Sequence, residues 1–203
     1  MRRQGFALVE VLVVMGIFSG ILGAVLASLL VSRTAFVSAD AYVQVQQEAR
    51  RAFDSMVNEL RGAGQVNNGV GIPEPGVQRL DFQIARGYDA ATCGGVCWGS
   101  DAPTLPNGWV HYVLDTTDPQ NARFMRCVTA TRLDPMPANF AGCRVLANNV
   151  SPALANSSFA YDHGNRTVMV RLQTSVTSQQ LPGGALGTAP APLITQVRLR
   201  NTS

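Results

Sequence analysis

Lysine is absent from this chain of 203 residues; all sixteen of its cations are arginine. Charge of either sign is scarce. Asp, Glu, Lys and Arg together make up 14% of the residues, against about 25% in an ordinary soluble domain. A direct nucleic-acid partner needs clustered cations facing phosphates. The net charge is +3, and Arg2 and Arg3 supply two of those units, so no basic field remains for such a role. Histidine is limited to His111 and His163, and no GxSxG, HExxH or P-loop pattern occurs, so the chain reads as non-enzymatic. There is no internal repeat. Apolar residues reach 46%, which excludes intrinsic disorder.

Ionisable groups are also missing from residues 11–32, between Glu10 and Arg33. As a helix this stretch would span ~33 Å, enough for a hydrocarbon core of ~30 Å. Arg2 and Arg3 precede it, which places the N-terminus in the cytoplasm by the positive-inside tendency. Two simple readings are a secretory signal cut after Val25-Leu26-Ala27 and a permanent single-span anchor. Neither gives Glu10 a role. A carboxylate at mid-helix costs ~2.5–3.5 kcal/mol on insertion scales, and less near the interface. The nearest cations in sequence are Arg3 and Arg33. Cleavage between Gly5 and Phe6 would create a partner, because the new α-ammonium on Phe6 lies about one helical turn before Glu10. It could pair with its own Glu10 or with that of a neighbouring copy.

Gln4-Gly5-Phe6-Ala7-Leu8-Val9-Glu10, followed directly by the apolar run, resembles the class III signal of type IV pilins and pseudopilins. That signal has a short basic leader, a Gly before the cut, a Phe or Met after it, and a Glu fifth from the new terminus. The resemblance implies that a prepilin peptidase removes residues 1–5 on the cytoplasmic side and methylates the Phe6 amine. Glu10 would then recognise a neighbouring subunit's terminus. Gln46-Gln47-Glu48-Ala49-Arg50-Arg51-Ala52-Phe53 and Asn58-Glu59-Leu60-Arg61-Gly62-Ala63-Gly64 are similar to the Q-x-x-A-R-x-A … D-L-R-x-A-G stretch of PilW-type minor pilins. J-type pseudopilins of type II secretion share the layout. The chain departs at Asn58-Glu59, where the family more often has Arg-Asp. The implied role is a low-copy subunit that primes or caps a filament. Its implied partners are other pilins or pseudopilins, the prepilin peptidase and an inner-membrane assembly platform. A secreted or membrane-anchored adhesin or binding module is the alternative from another class.

Beyond Arg33 the polarity changes but the helical period continues. Tyr42, Val45, Ala49, Ala52/Phe53, Met56 and Leu60 recur at spacings of three and four, which defines one apolar face. Gln44, Gln47, Glu48, Arg51, Asp54 and Glu59 fall largely opposite. No proline interrupts residues 6–61, so one helix of ~56 residues, or ~84 Å, is permitted. Gly62-Ala63-Gly64 supplies its stop. Gly16, Gly20, Ala24 and Ser28 form a small-residue stripe that would let helices approach closely in lipid; such residues are equally common in any membrane helix.

From Gly62 onward, alternation predicts strands at 77–84, 109–114, 123–129, 143–147, 158–162, 167–174 and 194–200, separated by Gly, Pro and Asn clusters. The expected fold class is α+β, pilin-like: a long N-terminal helix packed on an antiparallel β-sheet head. The divisions are a leader at 1–5, a transmembrane half-helix at 6–32, an amphipathic half-helix at 33–61 and a head at 62–203. Four cysteines allow three disulfide connectivities. Proximity and the intervening turns favour Cys93–Cys97 and Cys127–Cys143, with the head outside the cytoplasm. Zinc is disfavoured because the cysteines follow a Cys-x3-Cys spacing and then stand apart. Asp115, Asp118 and Asn121 could offer oxygens to calcium, as some pseudopilins do, but Asp-Thr-Thr-Asp-Pro-Gln-Asn is more simply a turn. No other cofactor is expected. The four Asn-x-Ser/Thr triplets carry no inference.

Overall fold

The computed structural model describes residues 8–67, 77–118, 122–132, 140–151, 153, 157–162, 164–174 and 192–199. Its architecture is α+β. Helix α1 runs from Leu8 to Arg61 as 54 continuous residues, as the absence of proline permits. It closes at Gly62, whose N–H donates to the Glu59 carbonyl at 3.0 Å. Arg61 in the last turn suits the negative end of the helix dipole. The chain divides after Tyr42 into two compact units.

The unit that begins at Val43 contains two antiparallel sheets. The larger is built from β1 (Ala63–Asn67), β2 (Val77–Asp89), β3 (Gly95–Gly99), β4 (Trp109–Asp115), β5 (Arg123–Thr129) and β6 (Arg144–Ala147). Its order is β1-β2-β4-β5-β6, with β3 also paired to β2. Ile84 pairs with both Ala63 and Gly99, so β1 and β3 flank β2 on opposite sides. β4 takes residues 77–82 of β2, and β3 takes 84–89 along the same edge. The smaller sheet is β7 (Ser158–Asp162), β8 (Thr167–Leu172) and β9 (Leu193–Arg198) in that order.

Alternation along the strands sends one set of side chains to a common core. Leu80 and Phe82 of β2, Val110, Tyr112 and Leu114 of β4, and Phe124 of β5 are buried there. Val168 and Val170 of β8 and Val197 of β9 join them from the smaller sheet. Helix α1 contributes Ala49, Ala52, Phe53, Met56 and Leu60, while Val45 is half-buried. Phe82, Tyr112 and Phe124 stack at centroid spacings of 5.7 and 5.5 Å, and Phe159 of β7 follows at 6.0 Å. Such ring contacts add to area burial and fix the relative placement of the two sheets.

Several expectations are revised. Residues 63–67 form β1 rather than a loop, and β3 (Gly95–Gly99) is a strand where none was expected, beginning inside the Cys93–Cys97 disulfide loop. Gly64 is part of the reason: a Cβ there would overlap the ring of Trp98, so only glycine lets the indole of β3 reach β1. β2 extends to Asp89 because β3 pairs with its far half. β5 and β7 have the expected bounds. Glu59, placed on the polar helix face, is half-buried. Arg126 Nε donates to its two carboxylate oxygens at 3.1 and 3.0 Å. Arg126 Nη2 also donates to Asp101, so one guanidinium ties α1 to the loop after β3.

Candidate functional site

The site expected from the sequence lies on the first unit. Gly5 and Phe6 are outside the described residues. Glu10 lies in the first turn of α1 and is exposed. No other ionisable residue follows it until Arg33. The apolar residues after it are exposed all round the helix: Leu12, Phe18, Leu26 and Leu30 are each more than half accessible. A helix apolar on every face belongs in lipid or among other helices. By length and composition α1 is a candidate membrane span, and among the described residues its most apolar stretch is exposed. Along the small-residue stripe, a Cβ at Gly16 or Gly20 would meet nothing within 4 Å, and Ala24 and Ser28 are exposed. Among the described residues the stripe is exposed.

A second constellation was not legible in the sequence. Strand register sets Asp81 of β2 opposite His111 of β4, and His111 opposite Cys127 of β5. Thr129 lies two residues further along the same face. The Asp81 Oδ1 atom is 2.7 Å from His111 Nδ1 and accepts from Arg79 Nε at 2.8 Å. Arg79 Nη2 lies 3.1 Å from the same Nδ1 atom, so the guanidinium and the carboxylate both face it. His111 Nε2 is 2.7 Å from the Thr129 hydroxyl, which itself donates to the Thr131 carbonyl at 2.6 Å. Hydroxyl, imidazole and carboxylate stand in the spatial order of a nucleophile, base and orienting acid, although the hydroxyl's one proton goes to the Thr131 carbonyl and not to Nε2. They are sealed, however: His111 and Asp81 are fully buried, Thr129 is 7% exposed, and none of the three lines either of the two depressions beside α1 and β9. Chemistry on a substrate needs access, which this cluster lacks.

What the cluster does is hold a loop. Arg79 Nη2 donates to the Arg132 carbonyl at 2.6 Å, and the disulfide Cys127–Cys143 closes the same β5–β6 connection. The Oδ2 atom of Asp81 is buried without a hydrogen-bond partner, so the carboxylate is retained for the ion pair and the imidazole rather than for complete satisfaction. The second disulfide joins Cys93 to Cys97 across the β2–β3 turn.

Asp115, considered for calcium, accepts from the backbone N–H of Thr117 at 3.1 Å and its hydroxyl at 2.6 Å, and from Arg123 Nη2 at 2.8 Å. Burial pushes its carboxyl up, but the Thr117 and Arg123 bonds outweigh that and hold it below the ordinary range. It forms a turn whose oxygens are taken. Asp118 follows in that turn, and Asn121 lies outside the described residues. Among the described residues no three His, Cys, Asp or Glu side chains cluster to hold a metal. The Tyr112 phenol is raised well above its usual value, first by burial and then by the nearby Glu59 carboxylate. Burial opposes the charge on Arg126, yet Asp101 and Glu59 raise it overall. No protein-family model matches this chain, and no curated protein or solved structure is significantly similar to it.

Proposed function

We propose that the chain is a minor-pilin-like structural subunit of a type IV pilus or related filament. The observation that carries this reading is the exposed apolar first half of α1, with one carboxylate, Glu10, in its first turn. A soluble protein does not leave such a surface to water. A simple anchor gains nothing from the acid. The pilin-like leader supplies a reason for both. Removal of residues 1–5 by a prepilin peptidase leaves an ammonium on Phe6, N-methylated in that family. Glu10 of an adjacent subunit neutralises it as the helix passes from bilayer to bundle. In lipid, helix packing and this ion pair drive assembly, and the stripe of Gly16, Gly20, Ala24 and Ser28 permits close approach. Two disulfides in the β-rich unit suit an extracytoplasmic head. The role is one of assembly, without catalysis.

A pseudopilin of type II secretion uses the same parts, and only the machine distinguishes it. N-terminal mass spectrometry of the membrane-extracted protein tests the reading. A mature chain beginning at methylated Phe6 supports it, whereas one beginning at Met1 or Ser28 refutes it. Substituting Glu10→Leu should leave membrane insertion intact and reduce filament incorporation by at least about tenfold, equivalent to ~1.4 kcal/mol. Unchanged incorporation would refute the role of Glu10.

A further inference from the structure

We infer that the outer edge of β9 is a docking groove for an extended acidic polypeptide segment, which adds to the smaller sheet as a fourth strand. Backbone register defines the edge. The Leu199 N–H donates to the Arg166 carbonyl at 3.0 Å, so residues 199, 197, 195 and 193 exchange their bonds with β8. Ile194, Gln196 and Arg198 therefore turn their N–H and C=O groups outward, and among the described residues no strand pairs with them. The other outer strands are treated differently. The pairings of β1, β3 and β6 each contain a register shift, the irregularity that blunts an edge against further pairing. The remaining edge strand, β7, packs beside β2. β9 is paired in register over six residues, contains no proline, and exposes Ile194 by 53%.

Two depressions, of about 330 and 590 Å³, lie along this edge between β9 and the stretch of α1 from Val43 to Arg61. Leu193 lines the first, and residues 195–199 line the second. They mark the two ends of β9, a strand of ~20 Å at ~3.3 Å per residue, and Ile194 lines neither. Arg50 stands at one end, and Arg61, Arg166 and Arg198 at the other, with no carboxylate in either lining. Asp54, on the same side of the helix by spacing, lines neither depression. Outward backbone groups give a strand its affinity, and the flanking side chains choose its sequence. Here the chosen sign is negative. This inference is independent of the filament reading.

The test uses the full chain in detergent micelles. The probe is a blocked, fluorescein-labelled peptide of alternating valine and glutamate, ~7 residues long to match the edge. Saturable binding is expected by anisotropy, at least about tenfold tighter than for the valine–lysine counterpart. Gln196→Pro removes one outward N–H and no backbone bond of the β8–β9 ladder, though it also loses the 3.3 Å bond from Gln196 Nε2 to the Thr167 hydroxyl; it should weaken binding about tenfold. N-methylating alternate amides of the peptide, which leaves the protein unchanged, should do the same if that variant does not fold. Arg61→Glu with Arg198→Glu leaves two arginines against two carboxylates, so in that variant the preference should vanish while the wild type keeps it. Equal binding of both peptides by the wild type, indifference to N-methylation, or no binding at ~1 mM overturns the proposal. So does dimerisation through this edge without peptide, which would assign it to a second copy.

Discussion

Replacing Asp81 with alanine isolates the energetics of the buried cluster. The substitution removes a carboxylate bound to Arg79, whose side chain is 2% exposed, and to His111, which is fully buried. Breaking a buried ion pair from one side costs about 3–5 kcal/mol, because the remaining charge stays desolvated. Arg79 retains the Arg132 carbonyl as an acceptor, which argues for the lower end, about 3 kcal/mol. For a unit of this size each kcal/mol shifts Tm by about 2–4 °C, so a drop of ~6–12 °C is expected. Asp81→Asn keeps an acceptor oxygen and should lose about half as much, since hydrogen bonds to charged groups contribute ~1.5–3 kcal/mol. Replacing Arg79, Asp81 and His111 together by leucine should recover much of the loss, because an apolar trio leaves no stranded charge. Trp98 in β3 and Trp109 in β4 report the transition by fluorescence, with both disulfides intact. A loss below ~1 kcal/mol for the alanine variant, as at a solvated surface pair, would refute the reasoning. So would a triple variant no better than the single one.

Three further expectations use the same assay. Met56→Ala empties a fully buried position of α1 and should cost about 2–5 kcal/mol; a cost under ~1 kcal/mol would remove Met56 from the core. Tyr112→Phe deletes a buried hydroxyl that lacks a partner of standard geometry while keeping both ring stacks. It should be neutral or stabilise by about 1 kcal/mol, and a comparable loss would contradict the assignment. Asp115 has a depressed folded-state pKa. Its stabilisation is therefore fully present above the unfolded value of about 3.9 and disappears as pH falls through the lower folded value. Asp115→Asn should flatten that acid limb of the stability curve, and an unaltered limb would show that the Thr117 and Arg123 bonds do not set it.

Local periodicity made much of this protein legible. Tyr42 to Leu60 announced the buried face of α1 through spacings of three and four, and Ala49, Ala52, Phe53, Met56 and Leu60 occupy the core. The two-residue alternation of 168–173 announced β8, expected over 167–174 and observed over Thr167–Leu172, since the side-chain period is a property of the backbone; the run at 123–129 announced β5. The small-residue stripe and Glu10 could be named because they stand out within a single helix. Glu59 was misplaced because helical spacing counts faces and does not see Arg126, 67 residues away.

By itself the sequence determined the length of the helix, the charge-free run after Glu10 and the β character of the remainder, all of which arise from neighbours along the chain. Tertiary structure alone decided that Asp81, His111 and Thr129 meet, that residues 63–67 pair as β1, and that β9 keeps an outward row of amides beside a line of arginines. Each of these depends on strand register across long separations. A slip of one residue would turn every side chain to the opposite face, and no local pattern in the sequence encodes which register is taken.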